Sequence, residues 1–426
     1  MASVDVPVAL LGYGTVGSAV DRLLTESADE IERATGHRLR VVRALVRDAA
    51  KERSYAPADG VLTTDFAAIR DDPSVAVVAE VMGGVEGTGE LVLELLRAGK
   101  PVVSANKQLV ARRGADLFAA ASEAGVQLRF EASVCAAIPV VKVLRESLVV
   151  SNVHRVLGIV NGTTNFVLTR MEAGGSYADA LAEAQRLGYA EADPTDDVSG
   201  ADAAAKMAIL ATVAFGSRVR LDDVGCRGIT EVTPEVVAAA RELGTVVRLV
   251  GAASLVGGAV DVRVGPALVD RAHPLASLDG PFNAVMLQGD AIREITLEGP
   301  GAGGIETASA VVADIVGVIG TSGTGFLQND AVWRELPRLE PGELRSAFYF
   351  RLDVADRPGV LAHVAERLAE EGVSIARLAQ HPTNGHAAID VVTHEAPAGR
   401  LAAALDTIST LDEVAARPEP LAVIGR

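Results

Sequence analysis

Cysteine is nearly absent from this chain: Cys135 and Cys226 are the only two among 426 residues. Two thiols make neither a disulfide framework nor a thiolate metal cluster, and they fit a reducing cytoplasm. Positive charge is in deficit too, with 39 Lys and Arg against 56 Asp and Glu and a formal net charge of −17. That balance argues against general attraction to nucleic acid or an anionic membrane. It leaves local basic spots able to hold a phosphate on a small cofactor. Long apolar runs are also missing. The most apolar stretches, residues 245–256 and 308–319, are broken by Arg248 and Asp314, short of the roughly 18–20 residues a membrane span needs. No basic segment followed by an apolar core opens the chain, so no secretory signal is expected. The expectation is a soluble, cytoplasmic protein with neither a membrane nor a nucleic acid as partner. Histidine, the usual proton carrier of dehydrogenases, is scarce where it would count: none of the seven sits in a catalytic-looking context. Lysine is the better candidate for moving a proton.

What is present is the composition of a globular protein, 49% hydrophobic and 22% charged, in a chain long enough for two or three domains. Over the first third, short apolar runs alternate with amphipathic stretches. Strands are expected at residues 6–11, 39–46, 75–81, 101–104 and 127–131, and helices at 16–34 and 90–98. Such alternation implies βαβ units around a parallel sheet. Past Pro139 the pattern becomes mixed α+β. A helical stretch leads to a strand at 154–159, a polar turn at Asn161–Asn165 and Ala-rich helices. Strands over 246–264 and 284–297, a glycine cluster at 299–304 and a helix at 307–319 follow. Residues 320–325 and 336–343 read as linkers. The last stretch is a unit of its own, with strands at 347–354, 373–380, 387–393 and 414–423 and helices at 358–371 and 398–409. That order, βαββαβ, is the ferredoxin-like arrangement.

Gly12-Tyr13-Gly14-Thr15-Val16-Gly17 is a G-x-G-x-x-G that follows an expected strand and opens an expected helix. Glycine permits the tight turn and close backbone approach, and the helix N-terminus offers amides to a pyrophosphate. Dinucleotide binding is favoured over a merely structural turn. The second strand ends at Arg47-Asp48, where a carboxylate would suit the ribose hydroxyl of NAD and an arginine the extra phosphate of NADP. Arg47, with Lys51 and Arg53 nearby, tilts the reading to NADP, with NAD possible; the alternative is a solvated basic face. Lys107, in Ser104-Ala105-Asn106-Lys107, follows a strand at its C-terminal end, where open parallel sheets place ligands. It can donate a proton or hold an anionic oxygen, or it can be an ordinary surface lysine. Glu131–Pro139 is a strand end running into small residues. Its default reading is a hinge, and its carbonyls could also ligate a hard cation.

The run Gly188–Asp197 is acidic with little basic compensation, and Ala201 opens a long apolar helix carrying Asp202 and Lys206 four residues apart on one face. The plain reading is a surface ion pair. The functional one is a cleft for a zwitterion, with Glu191 and Asp202 suiting an ammonium and a lysine a carbonyl oxygen.

These residues resemble homoserine dehydrogenases. The carriers are Leu11–Gly17, Ser104–Lys107, Glu131–Val134, Asn161-Gly162-Thr163-Thr164-Asn165, Gly188–Pro194 and Gly299–Ala310, in the family's order, over about residues 5–330. Asp356-Arg357-Pro358-Gly359-Val360-Leu361 is similar to the strand-to-helix signature of ACT domains, which bind small amino acids. The resemblance implies an α/β fold: a discontinuous Rossmann domain over residues 1–138 completed by 307–330, and a mixed α+β catalytic and dimerisation domain over 139–306. A linker over 331–345 and a ferredoxin-like ACT domain over 346–426 would follow. It implies reversible reduction of L-aspartate 4-semialdehyde to L-homoserine with NAD(P)H, on the way to threonine, methionine and isoleucine. By the same resemblance Lys206 is the proton donor and Lys107 a second active-site lysine touching substrate and cofactor. Glu191, Asp202 and Gly188 hold the substrate. Gly12, Gly14, Thr15, Val16, Gly17, Arg47, Lys107, Gly188, Glu191 and Gly303 contact the cofactor. A monovalent cation, sodium in most relatives, would sit on the carbonyls of Glu131, Val134, Ala136 and Ile138. The family commonly has glycines in that hinge, where this chain reads Cys135-Ala136-Ala137, and alanine disfavours a left-handed backbone. Cys135 reads as a small buried hydrophobe. Feedback by L-threonine and assembly as a homodimer or homotetramer complete the expectation. The rivals are another ACT-bearing dehydrogenase, which would want a catalytic histidine, and a non-catalytic sensor, which would have no use for two such lysines.

Overall fold

Val8, Ala9, Leu10 and Leu11 are all without exposed surface. Four successive buried residues on one strand require cover on both faces, the mark of a central parallel strand. In the computed structural model, which describes residues 4–320, 335–383 and 386–424, this run forms the strand Val4–Leu11. It lies between His37–Leu45 and Val77–Glu80, both parallel to it. The sheet continues to Leu62–Thr63 on one side and to Val102–Ser104 and Leu128–Arg129 on the other, giving the order 3-2-1-4-5-6 in chain position. That is the doubly wound dinucleotide-binding order. Two-residue Leu62–Thr63 has no apolar run to announce it and was not anticipated.

Local competition moves several boundaries. The single helix expected at 16–34 is two, Thr15–Glu26 and Ala28–Thr35, separated at Ser27. Asp29 and Glu30 fall in the first turn of the second helix, where acid favours a fresh N-terminus over continuation of the first. The strand expected at 127–131 is only Leu128–Arg129, because the Glu131 amide donates to Asp314 Oδ2 at 2.8 Å rather than to a ladder. The chain turns there into the 3-10 segment Glu131–Ser133. Asn161–Asn165 is a helix start rather than a turn: Asn161 caps Gly162–Glu172, accepting from the Thr164 amide at 2.8 Å. Each apolar stretch read as strand over 246–264 and 284–297 is a hairpin, Thr245–Val256 with Ala259–Asp270 and Phe282–Gly289 with Arg293–Pro300. Gly257 and Gly258 supply the first turn at φ +58° and +85°.

The chain divides into two units, Met1–Val156 with Ala203–Val224 and Asn283–Glu335, and Leu157–Asp202 with Gly225–Phe282 and Leu336–Arg426. In the first unit the late helix Gly304–Gly320 packs on Thr15–Glu26. Ala308, Val311 and Ile315 join Val8, Leu10, Val20 and Leu24 in one core. The dinucleotide domain is therefore discontinuous in sequence. Residues 321–330 of the expected return helix and 331–334 of the expected linker lie outside the described residues.

In the second unit, Arg345–Ala355, Ile375–Thr383, His386–Thr393 and Leu421–Ile424 form an antiparallel sheet in the order fourth, first, third, second. Helices Val360–Glu370 and Ala398–Ile408 cover one face. This is the expected ferredoxin-like fold. The last strand starts at Leu421 rather than near Val414, since Pro418 and Pro420 cannot donate to a ladder. Its free edge pairs in parallel with Ala267–Val269 of the long hairpin, so sheet hydrogen bonding runs from the C-terminal fold into that hairpin.

Candidate active site

In the first unit the glycine motif does what its spacing requires. Gly12 sits at φ +104°, its amide on the Leu45 carbonyl at 3.0 Å, and a Cβ there would meet Met82 Cγ at 2.9 Å. A Cβ on Gly17 would strike the Gly12 carbonyl oxygen. Thr15–Glu26 has neither a side-chain cap nor an acid in its first turn, so the amides around Thr15 and Val16 face outward uncovered. An anion is the natural occupant of such a start. The turn opens onto a cavity of about 1510 Å³ lined by Gly12, Tyr13, Gly14, Thr15, Arg47, Lys51 and the Val81–Gly84 loop, among others. Gly304 and Ile305 line it as well, and Gly303 before them takes φ +142°. A Cβ on Gly304 would meet Thr15 Cγ2 at 2.9 Å, which explains a glycine at the start of the late helix.

The basic residues beside this cavity do different things. Arg47 is exposed on its wall, whereas Asp48 turns its carboxylate onto the Ala50 amide at 2.8 Å. Arg53 donates to the carbonyls of Asp48 at 2.7 Å and Lys51 at 2.5 Å, and lies 6.0 Å from the Tyr13 ring centroid. It clips the loop that carries Arg47 and Lys51. Tyr13 is held in turn by its hydroxyl, which donates to the buried Asp21.

Lys107 opens the helix Lys107–Ala124, which Asn106 caps through the Leu109 amide at 3.1 Å. In the second unit Gly188 takes φ +78° and leads into exposed Glu191, whose carbonyl accepts from Gln185. Thr163 Oγ1 donates to the Tyr189 carbonyl, tying this loop to the helix start at Asn161. The Asn161 carboxamide donates to Asp197 at 2.7 Å and Asp202 at 2.9 Å. Sequence reasoning missed Asn161 and Asp197 as members of the site. The one signal was the unusual Asn-Gly-Thr-Thr-Asn run itself. Asp202 ends this stretch of the second unit and is only 4% exposed; Lys206, one turn later on the same helix Ala201–Phe215, falls in the first unit and is 8% exposed. Burial at that level rules out the surface-pair reading, since charges are left buried only where partners or ligands meet them.

The hinge fits a small cation. Cys135 and Ala136 adopt φ +55° and +41° without glycine, so the substitution does not prevent the turn and stores strain instead. The carbonyls of Glu131 and Ile138 accept from the Val134 and Val140 amides, whereas those of Val134 and Ala136 accept no backbone hydrogen bond among the described residues. Both residues are buried, and buried acceptors want a partner. Next to them the Glu131 carboxylate caps the Val141 and Lys142 amides at 2.9 and 2.7 Å. Burial and neighbouring Asp314 push its pKa up to about 8, and burial lifts Asp314 to about 6. Two crowded carboxyls beside spare carbonyls suit a monovalent cation.

Comparison with known proteins agrees with this geometry. The homoserine dehydrogenase profile matches residues 139–316, that of the homoserine dehydrogenase NAD binding domain residues 12–131, and that of the ACT domain residues 348–413. Homoserine dehydrogenase of Corynebacterium glutamicum is 44% identical over 92% of this chain and 89% of its own length. That of Bacillus subtilis is 39% identical over 96% and 95%. The crystal structure of a homoserine dehydrogenase from Thiobacillus denitrificans superposes with a TM-score of 0.94 at 39% identity over the whole of both chains. A hyperthermophilic archaeal homoserine dehydrogenase in complex with NADPH does so at 0.62 and 27% identity, over 75% of this chain and all of its own.

The hinge yields a test. A carboxyl whose folded pKa lies near 8 instead of 4.5 contributes stability that is complete below about 4.5 and lost as pH rises through about 8. In a buffer whose cation is tetramethylammonium, the melting temperature should therefore fall as pH rises toward 8. Sodium should reverse most of that fall, and more so at the alkaline end. An equal sodium effect at pH near 5 and near 8 would separate the cation from Glu131.

Proposed function

Since the chain belongs to the homoserine dehydrogenase family, we propose that it interconverts L-aspartate 4-semialdehyde and L-homoserine with Lys206 as proton donor. The observation that carries this reading is the buried Asp202 and Lys206 on one helix, with Asp202 tied through Asn161 to Asp197. Reduced nicotinamide supplies the hydride. Asp202 and Glu191 hold the substrate ammonium and Gly188 frames it. Lys206 passes a proton to the aldehyde oxygen as charge develops there. Lys107 holds that oxygen from the cofactor side. Turnover in either direction rests on position more than on a strong acid or base.

The cofactor is NADP. Arg47 is exposed on the cavity wall and the Asp48 carboxylate is engaged with Ala50, an arrangement that favours a phosphate over a bare ribose hydroxyl. The NADPH complex of the archaeal relative supports the same choice. Gly12, Gly14, Thr15, Val16 and Gly17 hold the pyrophosphate, and Gly303 reaches the cofactor from the late glycine cluster. Sodium sits on the carbonyls of Glu131, Val134, Ala136 and Ile138. Residues 1–138 with the late helix bind the cofactor, 139–306 carry catalysis and pairing into a homodimer or tetramer, and 346–426 sense L-threonine. The last reading is supported by the exposed Asp356–Gly359 turn, where Gly359 takes φ +97°.

Absorbance of reduced nicotinamide, with L-homoserine and either NADP or NAD, tests the reading directly. Lys206→Ala should lower kcat by about 10²–10⁴ and leave NADPH affinity within about twofold. Near wild-type turnover would remove Lys206 from the chemistry. Arg47→Ala should cut the preference for NADP over NAD about tenfold, the worth of one charge-assisted contact. An unchanged ratio would return Arg47 to an ordinary solvated face. L-Threonine should inhibit the wild type, and Asp356→Ala should abolish inhibition without loss of basal activity. Equal inhibition of both proteins would move the effector site elsewhere.

A further inference from the structure

Glu80 ends the strand Val77–Glu80 with no exposed surface at all. A carboxylate so placed needs several donors to replace its water, and it has them. Oε1 accepts from the Met82 and Gly83 amides at 2.9 and 3.2 Å, and Oε2 accepts from the Ser104 hydroxyl at 2.6 Å. The Asn106 carboxamide faces it as well. Four donors from two loops converge on one point, and a carboxylate alone has acceptor sites for all of them. A glutamine would meet the same donors with an amide that is half donor itself.

Each loop leads to something functional. Met82–Gly84 lines the cofactor cavity, with Gly83 and Gly84 at φ +76° and +80°. Ser104 accepts in turn from the Asn106 amide at 3.1 Å. Asn106 caps the helix that Lys107 opens, and its Nδ2 donates to the Gly84 carbonyl at 2.6 Å, closing the circuit. We propose that Glu80 is a positioning residue for the dehydrogenase reaction, setting Lys107 through Ser104 and Asn106 and setting the cofactor wall through Met82 and Gly83. The inference rests on the reading of Lys107 as an active-site residue. The two arms meet at Asn106 and differ in degree: Ser104 touches the Lys107 arm directly and the cofactor wall only through the Asn106 bond to Gly84.

Steady-state kinetics of the full-length Glu80→Gln, Ser104→Ala and Lys107→Ala variants, with melting temperatures, provide the test. Glu80→Gln should raise the cofactor KM and lower kcat, each about tenfold, the scale of a site loosened by a fraction of an ångström. Ser104→Ala, a small change that keeps the fold, should lower kcat about fivefold and raise the cofactor KM less than Glu80→Gln does, since it leaves the Met82 and Gly83 bonds in place. In a Lys107→Ala background it should have no further effect on kcat, because residues acting through one another are not additive. Lowered melting temperatures with wild-type kinetics, or additivity of Ser104→Ala with Lys107→Ala, would overturn the proposal. If Lys107→Ala is itself silent, the active-site reading fails. If it is impaired while both other variants match wild type, only the role of Glu80 fails.

Discussion

A single hydrogen bond, from the Glu131 amide to the carboxylate of Asp314, joins residues 183 positions apart and sets the shape of the first unit. It ends the sixth strand, starts the 3-10 turn and fixes the entry to the hinge at Cys135-Ala136. The same contact anchors the late helix Gly304–Gly320 to the sheet. Around it the packing has little slack: a Cβ on Gly317 would meet Arg129 Nη1 at 2.6 Å, and Arg129 reaches Glu146 at 3.0 Å. Once the helix is fixed at its middle, its first turn brings Gly304 against Thr15, where the cofactor motif begins. A buried acid inside the apolar run 308–319 is costly on its own. Here its bond to Glu131 adds a polar tie to the apolar core that already joins the late helix to the first strand and helix.

The second unit organises its charges differently. Asn161 Oδ1 accepts from the Thr164 amide and hydroxyl at the helix start, and this fixes which way the carboxamide points. Its nitrogen is thereby turned to Asp197 and Asp202 together. Serine or aspartate would cap the helix equally well, but neither offers two donors to two carboxylates. Two acids sharing one neutral donor still repel one another, and a cation between them relieves it. On the proposed reading that cation is the substrate ammonium, added to the partners the two acids already have within the chain.

The sheets, the ferredoxin-like unit and the glycine motif were legible because period and punctuation carry them. Residues 6–11 form an apolar run, residues 347–354 pass from apolar to alternating at Arg351 and Asp353, and Gly12–Gly17 announces its own geometry. What could not be read was decided by partners distant in sequence. Nothing local says that Glu131 will leave its strand for Asp314, or that Glu80 at the end of an apolar run will gather donors from two loops. Arg47, Lys51 and Arg53 look alike in the chain. Only the carbonyls of Asp48 and Lys51 turn Arg53 inward. The Cys135-Ala136 turn went against the expectation from glycine because the surrounding burial over-determines it, at a cost of order 1 kcal/mol per residue.

The C-terminal fold is not merely tethered to the second unit. Its last strand extends the hairpin at Ala267–Val269, and the Arg227 guanidinium donates to the Pro420 carbonyl just ahead of that strand at 3.2 Å. The Arg227 amide meanwhile donates to Val264 of the same hairpin. Two residues on, the Ile229 amide reaches the Val198 carbonyl at 2.8 Å, and a Cβ on Gly228 would strike that carbonyl oxygen. Val198 adjoins Asp197, one of the two acids held by Asn161. One guanidinium bond and then backbone hydrogen bonds thus connect the last strand to the residue beside Asp197. Contiguity is only a route: an effector would act along it to the extent that it bound one arrangement of this strand more tightly than another.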